Sequence, residues 1–225
     1  MKSKKTKSDH ALAIIKAGVS AIPYIGGAIA SLIGDYVPSA TQRSIETAIE
    51  ILKQKIEQIS DRINPDTVNK EEFAELFKSC YLSIVRTQQR QKLNAAANLL
   101  ANILLREGDP EKLPYTELDH FARCLETLSI GAIEVLGHAV DLAKKSKPQL
   151  YRVDPFRFDF QQLQDRMPQT DAFLLMGLVG ELNSANLVHL AGAPTIATPA
   201  YANYPIQLTP LGVRFCERLL DNDRN

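Results

Sequence analysis

The stretch Asp171-Ala-Phe-Leu-Leu-Met-Gly-Leu-Val-Gly-Glu-Leu-Asn-Ser-Ala-Asn-Leu-Val-His-Leu190, followed after a loop by Ile206-Gln-Leu-Thr-Pro-Leu-Gly-Val-Arg-Phe-Cys216, decides how the C-terminal half folds. Apolar residues crowd the first part and Thr170 can cap it, so it reads as a helix over about 171–184. Asn183 to Asn186 reads as a turn, Leu187 to Leu190 as a strand, and the Ala-, Pro-, Thr- and Gly-rich 191–204 as a loop. Ile206 to Leu208 is then the returning strand. Thr209-Pro210 opens a last helix over 210–220, with proline at the first helical position, where no backbone donor is needed. Upstream, Ser129 caps a helix over about 130–145 whose stripe is Ile133, Leu136, Val140 and Leu142. Lys144, Lys145 and Lys147 gather at its end, where the helix dipole favours cations. Tyr151 to Phe158 is aromatic and irregular, and a short helix fits 159–166 before Pro168. Helix, short helix, helix, hairpin, helix is the order of a winged-helix unit, expected over 129–221.

Residues 38–128 predict a helical bundle. Ile45, Ile49, Leu52, Ile56, Ile59 and Ile63 step by 4, 3, 4, 3 and 4, a heptad-like seam on one helix. It can serve the bundle itself or a homo-oligomer. Phe73, Leu76, Phe77, Cys80 and Ile84 stripe the next helix, about 69–86. Leu93, Ala96, Ala97, Leu100, Ile103 and Leu104 line one over 88–106, where the alanines permit close helix approach. Gly108-Asp109-Pro110 and Pro114 mark a loop, and Thr116 can cap a helix to about 128.

The first 37 residues are a basic tail and an apolar segment punctuated by glycine and proline. A charged start before an apolar run imitates a signal peptide, but Lys16 interrupts the run. Two short helices, 10–21 and 25–36, are expected, bent at Pro23 and Gly26-Gly27. Ala17 to Gly34 holds 18 residues without charge, the lower limit for a span. Nearby lysines are drawn to anionic lipid by about 1 kcal/mol each. The membrane-contact candidates are therefore Lys4, Lys5, Lys7, Ile22, Pro23, Gly26, Gly27 and Ile29. The alternative is an apolar hairpin docked on the bundle.

No spacing for chemistry is found. The chain lacks a P-loop, a nucleophile elbow and the kinase motifs. His10, His120, His138 and His189 have no partner at metal-ligand spacing. No catalytic, cofactor-binding or metal residues are expected, nor a small-molecule substrate. Cys80, Cys124 and Cys216 are odd in number and far apart, which reads as buried reduced thiols on the cytoplasmic side. Lys plus Arg equals Asp plus Glu at 26 each, so no whole-chain field attracts nucleic acid. From Met167 through Val213 there is neither Lys nor Arg, while duplex affinity comes chiefly from neutralising phosphates. Nucleic-acid binding through the winged unit is not expected. A DNA-binding regulator, the runner-up reading, would have to use Lys144, Lys145 and Lys147.

The run Leu93-Asn-Ala-Ala-Ala-Asn-Leu-Leu-Ala-Asn102, the Pro-bearing loop after it, Phe121 to Ser129, and the ending Leu208-Thr-Pro-Leu-Gly-Val-Arg-Phe-Cys216 together resemble the Abi-alpha abortive-infection family over about 70–220. That resemblance implies a helical N-terminal part joined to a winged-helix-like part, and a bacterial defence role against phage. The expectation is a mainly α, non-enzymatic defence effector or adaptor. It would work through protein contacts, with membrane association of 11–36 at the cytoplasmic face of the inner membrane; the remaining alternative is a structural partner protein that dimerises through the Ile45–Ile63 seam.

Overall fold

The computed structural model describes residues 42–63, 69–86, 89–190 and 203–220. The chain is mainly helical with one small antiparallel sheet, and forms two compact units, Met1–Glu126 and Thr127–Asn225.

In the N-terminal unit, α1 (Gln42–Gln58), α2 (Lys70–Arg86), α3 (Arg90–Ile103) and α4 (Tyr115–Thr127) follow one another. The centre is α3. Leu93, Ala95, Ala96, Ala97, Leu99, Leu100, Ala101 and Ile103 are all buried, the all-round pattern of a helix enclosed by neighbours. Both α1 and α2 pack on it, as its alanines allow. On α2, Phe73 and Phe77 stack one turn apart with ring centroids at 6.4 Å.

The expected isoleucine seam does not run along a single helix. The α-helix stops at Gln58, tightens into a 3-10 turn over Ser60–Arg62, and delivers Ile63 to a β-bridge with Leu105. Leu52 and Ile56 are buried together with Ala48 and Ile51, which the 4-3 spacing leaves out, whereas Ile49, Ile59 and Ile63 are half-buried. The inward stripe is thus rotated from the seam. The side chain of Ile45 lies outside the described residues. A second correction concerns α4. It starts at Tyr115, with the Pro114 carbonyl accepting from the amides of Glu117 and Leu118, and Thr116 lies inside its first turn instead of capping it.

The C-terminal unit comprises α5 (Ile130–Ser146), β1 (Phe156–Asp159), α6 (Phe160–Gln164), α7 (Ala172–Ser184), β2 (Val188–Leu190), β3 (Pro205–Leu208) and α8 (Pro210–Phe215). A π-helical turn over Cys216–Leu220 follows, so the expected helix over 210–220 changes winding at Phe215. The sheet order is β1-β3-β2, with Phe156 and Val188 both opposite Leu208. The sheet therefore has three strands where a lone hairpin was expected. In β1, Phe156 and Phe158 point into the core while Arg157 and Asp159 face water.

Two contacts fix α7 against α5. Glu181 accepts from the Ser129 amide at 2.7 Å and from its hydroxyl at 3.0 Å, while Ser129 Oγ accepts from the Ala132 amide. One carboxylate thereby completes the cap of α5 from a neighbouring helix, where the dipole favours negative charge. Next to it, a Cβ at Gly131 would meet Leu178 at 3.0 Å, so the glycine lets the helices close up. The cap of α7 itself is Asp171, not Thr170. Its Oδ1 accepts from the amides of Phe173 and Leu174.

Candidate interaction surfaces

On α4 the Cys124 thiol lies 3.5 Å from His120 Nε2, a Cys–His pair not expected from the sequence, and burial pushes the thiol up to about 12. In the N-terminal unit a cleft of about 560 Å³ opens between the start of α2 and the loop before α4, lined among others by Asn69, Glu72, Glu107, Lys112 and Tyr115. Lys112 pairs with Glu107, and the Tyr115 hydroxyl donates to Glu75 at 2.9 Å. Burial and the Glu75 carboxylate push that phenol up to about 12, so it stays a donor. The floor is held by Asn102, which donates to the Glu111 carbonyl and accepts from the Leu113 amide. No nucleophile stands beside a base in this cleft. Among the described residues, no group of three or more His, Cys, Asp or Glu side chains is placed to hold a metal ion.

Two surfaces stand out instead, both in the C-terminal unit. The first is the outer side of α7. Its inner side buries Leu175, Leu178, Val179 and Leu182, while Phe173 is 71% and Leu174 57% exposed. The Asp171 cap fixes the backbone under both. Large apolar side chains on a capped helix end without basic residues are the raw material of a protein-contact anchor. The second is the turn after α5, where Leu150 and Val153 are exposed among basic residues.

The sequence-predicted candidates are distributed as follows. Lys4, Lys5, Lys7, Ile22, Pro23, Gly26, Gly27 and Ile29 lie outside the described residues. Among the described residues no helix is long and apolar enough to cross a membrane. Within the seam, Leu52 and Ile56 are taken up by the unit's own core. Lys145 and Lys147 are exposed, whereas Lys144 stands 3.7 Å from Glu217. Cys80, Cys124 and Cys216 are free thiols and buried. The sequence reads α7 as apolar on most sides, buried or partner-bound, without saying which residues stay exposed; these are Phe173 and Leu174. Hydropathy counts apolar residues but does not say which side receives a neighbour.

Compared with family models, curated proteins and solved structures, the chain finds no match.

Proposed function

We propose that this is a non-enzymatic bacterial defence protein of the abortive-infection kind, whose C-terminal unit is a winged helix turned from duplex recognition to protein recognition. The element order α5-β1-α6-α7-β2-β3-α8 and the strand order β1-β3-β2 support the winged-helix reading. In it, α7 takes the place of the helix that enters a major groove in helix-turn-helix proteins. The observation that carries the proposal is what α7 offers there. Phe173 and Leu174 are exposed, and no Lys or Arg occurs from Met167 through Val213. Phosphates and base edges are read by cationic and amide side chains, and an exposed Phe-Leu pair suits an apolar pocket on a protein. The resemblance over 70–220 supplies the defence role, and the apolar 11–36 segment a route to the inner membrane.

The test is phage plating on bacteria expressing the full chain or its Phe173→Asp/Leu174→Asp variant. Both side chains are exposed, so the variant is expected to melt within about 0.5 kcal/mol of the parent. A protective parent and a variant that loses at least tenfold of the protection bear the reading out. Full protection by the variant would remove α7 from the mechanism, and an unprotective parent would remove the defence role.

A further inference from the structure

The turn after α5 gathers basic and exposed apolar side chains. Lys144, Lys145, Lys147 and Arg152 fall within ten residues, against Asp141, Asp154 and Glu217 as neighbouring acids; Glu217 pairs with Lys144 and Arg152, which leaves Lys145 and Lys147 as the exposed cations. Among them Leu150 is 47% and Val153 66% exposed. Their placement follows from the backbone. The Leu150 amide donates to the Lys147 carbonyl at 3.1 Å and the Val153 amide to the Leu150 carbonyl at 3.0 Å. The same two carbonyls also accept from the Tyr151 amide at 3.0 Å and the Asp154 amide at 2.9 Å, so each turn is shared between i+3 and i+4 bonds. Side chains three apart are neighbours in such turns, which brings Leu150 and Val153 together.

The opposite side is clamped. The Tyr151 hydroxyl donates to Glu217 at 2.5 Å, and Arg152 Nε donates to the same carboxylate at 3.0 Å. The Lys144 ammonium and the Arg152 guanidinium lie 5.9 and 5.4 Å from the centre of the Tyr151 ring. The π-helical turn that carries Glu217 thus holds the loop in shape while Leu150 and Val153 face solvent. A pre-ordered loop loses little entropy on docking.

We propose that this turn docks on an anionic phospholipid surface, with Leu150 and Val153 entering the headgroup boundary and Lys145 and Lys147 on the phosphates. Charge complementarity selects anionic partners. The two exposed aliphatic side chains select a bilayer over a nucleic-acid backbone, because interfacial binders bury apolar groups beneath a basic face and a phosphate ridge offers them nothing. The inference stands independently of the defence role.

The chain contains no tryptophan, so Val153→Trp in the full-length protein reports on this turn alone. With vesicles of phosphatidylcholine and phosphatidylglycerol, its emission is expected to move to the blue and to be quenched by brominated acyl chains. Phosphatidylcholine alone should leave it unchanged. In the same background, Lys145→Gln and Lys147→Gln should each weaken partitioning about fivefold, the factor that roughly 1 kcal/mol per basic residue implies, and Leu150→Ser should weaken it too. Sedimentation with anionic vesicles while the emission stays put assigns lipid contact to another segment and overturns the proposal. Absence of vesicle binding also overturns it. So does an emission shift with a short DNA duplex that matches the vesicle shift and ignores Leu150→Ser.

Discussion

Gly212→Ala is expected to cost the C-terminal unit about 3 kcal/mol, enough to unfold it near growth temperature. A Cβ at this position would lie 2.2 Å from the Leu187 carbonyl oxygen. That oxygen is backbone and is held from several directions. Asn186, at φ 57°, turns the chain out of α7 and aims the carbonyl at α8. The Leu187 oxygen then accepts from the Thr209 amide at 3.2 Å, and Thr209 Oγ1 lies 3.0 Å from it and from the Asn186 carbonyl. Thr209 Oγ1 also accepts from the Gly212 amide, which closes the cap of α8. A methyl group must therefore push the helix start off the end of β2, breaking the cap and loosening Val213 and Phe215 from the core. Gly177→Ala is the control. It lies in α7 with nothing within 4 Å of the new methyl, so the same chemical change should be neutral or gain up to about 1 kcal/mol. Paired thermal melts should show a large loss for Gly212→Ala and none for Gly177→Ala, and equal losses would refute the close approach.

In the N-terminal unit the largest effect is expected from Arg62→Met, about 3 kcal/mol. Arg62 Nε donates to Asp109 Oδ2 at 2.9 Å, and Nη2 donates to Oδ1 at 2.6 Å and to Glu111 at 2.8 Å. The Asp109 side chain is 2% exposed and that of Arg62 29%. Removing the arginine leaves a carboxylate in the core without its cation, which is worse than losing the exposed partner's charge. Arg62 also hydrogen-bonds through its backbone carbonyl to the Arg106 amide, beside the Ile63–Leu105 bridge, so the side-chain fork and the backbone clamp the same joint.

The hydrogen bonds from Arg62 hold the Asp109 carboxyl at about 2, well below the usual carboxylate range. For a depressed acid, the stabilisation is complete above the ordinary aspartate value near 4. It is lost as pH falls through about 2. In Arg62→Met the strongest hold on the charged carboxyl is gone, and only the Glu111 amide and the charge of Arg106 are left to oppose burial, so the depression shrinks and the variant loses less on acidification. The stability difference between parent and variant should therefore narrow as the pH drops from about 5 to about 2. A constant gap over that window would mean that the fork does not set the titration of Asp109.

The helices are legible in the sequence because their apolar residues recur with helical period, and Ser129 and Thr209 with Pro210 announce two of the starts. Three features are not. The isoleucines at 59 and 63 keep the heptad rhythm, yet the helix has already ended, because Arg62 is bound by acids 47 and 49 residues away. Periodicity cannot register a partner at that distance. Strand β1 is only four residues long and opens straight into α6, although the alternation Phe156, Arg157, Phe158, Asp159 was there to read. Glu181 capping Ser129 spans 52 residues and leaves no local trace. The interaction surfaces are the least legible part. That Phe173, Leu174, Leu150 and Val153 are exposed depends on where neighbouring elements stop, and their own hydropathy argues the reverse.

The buried cysteines turn these units into chemical clocks. Cys80 and Cys124 belong to one unit and Cys216 to the other. Burial pushes the first two thiols up to about 12, so neither offers a thiolate to an alkylating reagent while its unit is closed. Labelling of Cys216 then times the opening of the C-terminal unit, and labelling of Cys80 and Cys124 that of its neighbour, each read as a mass shift on its own peptide.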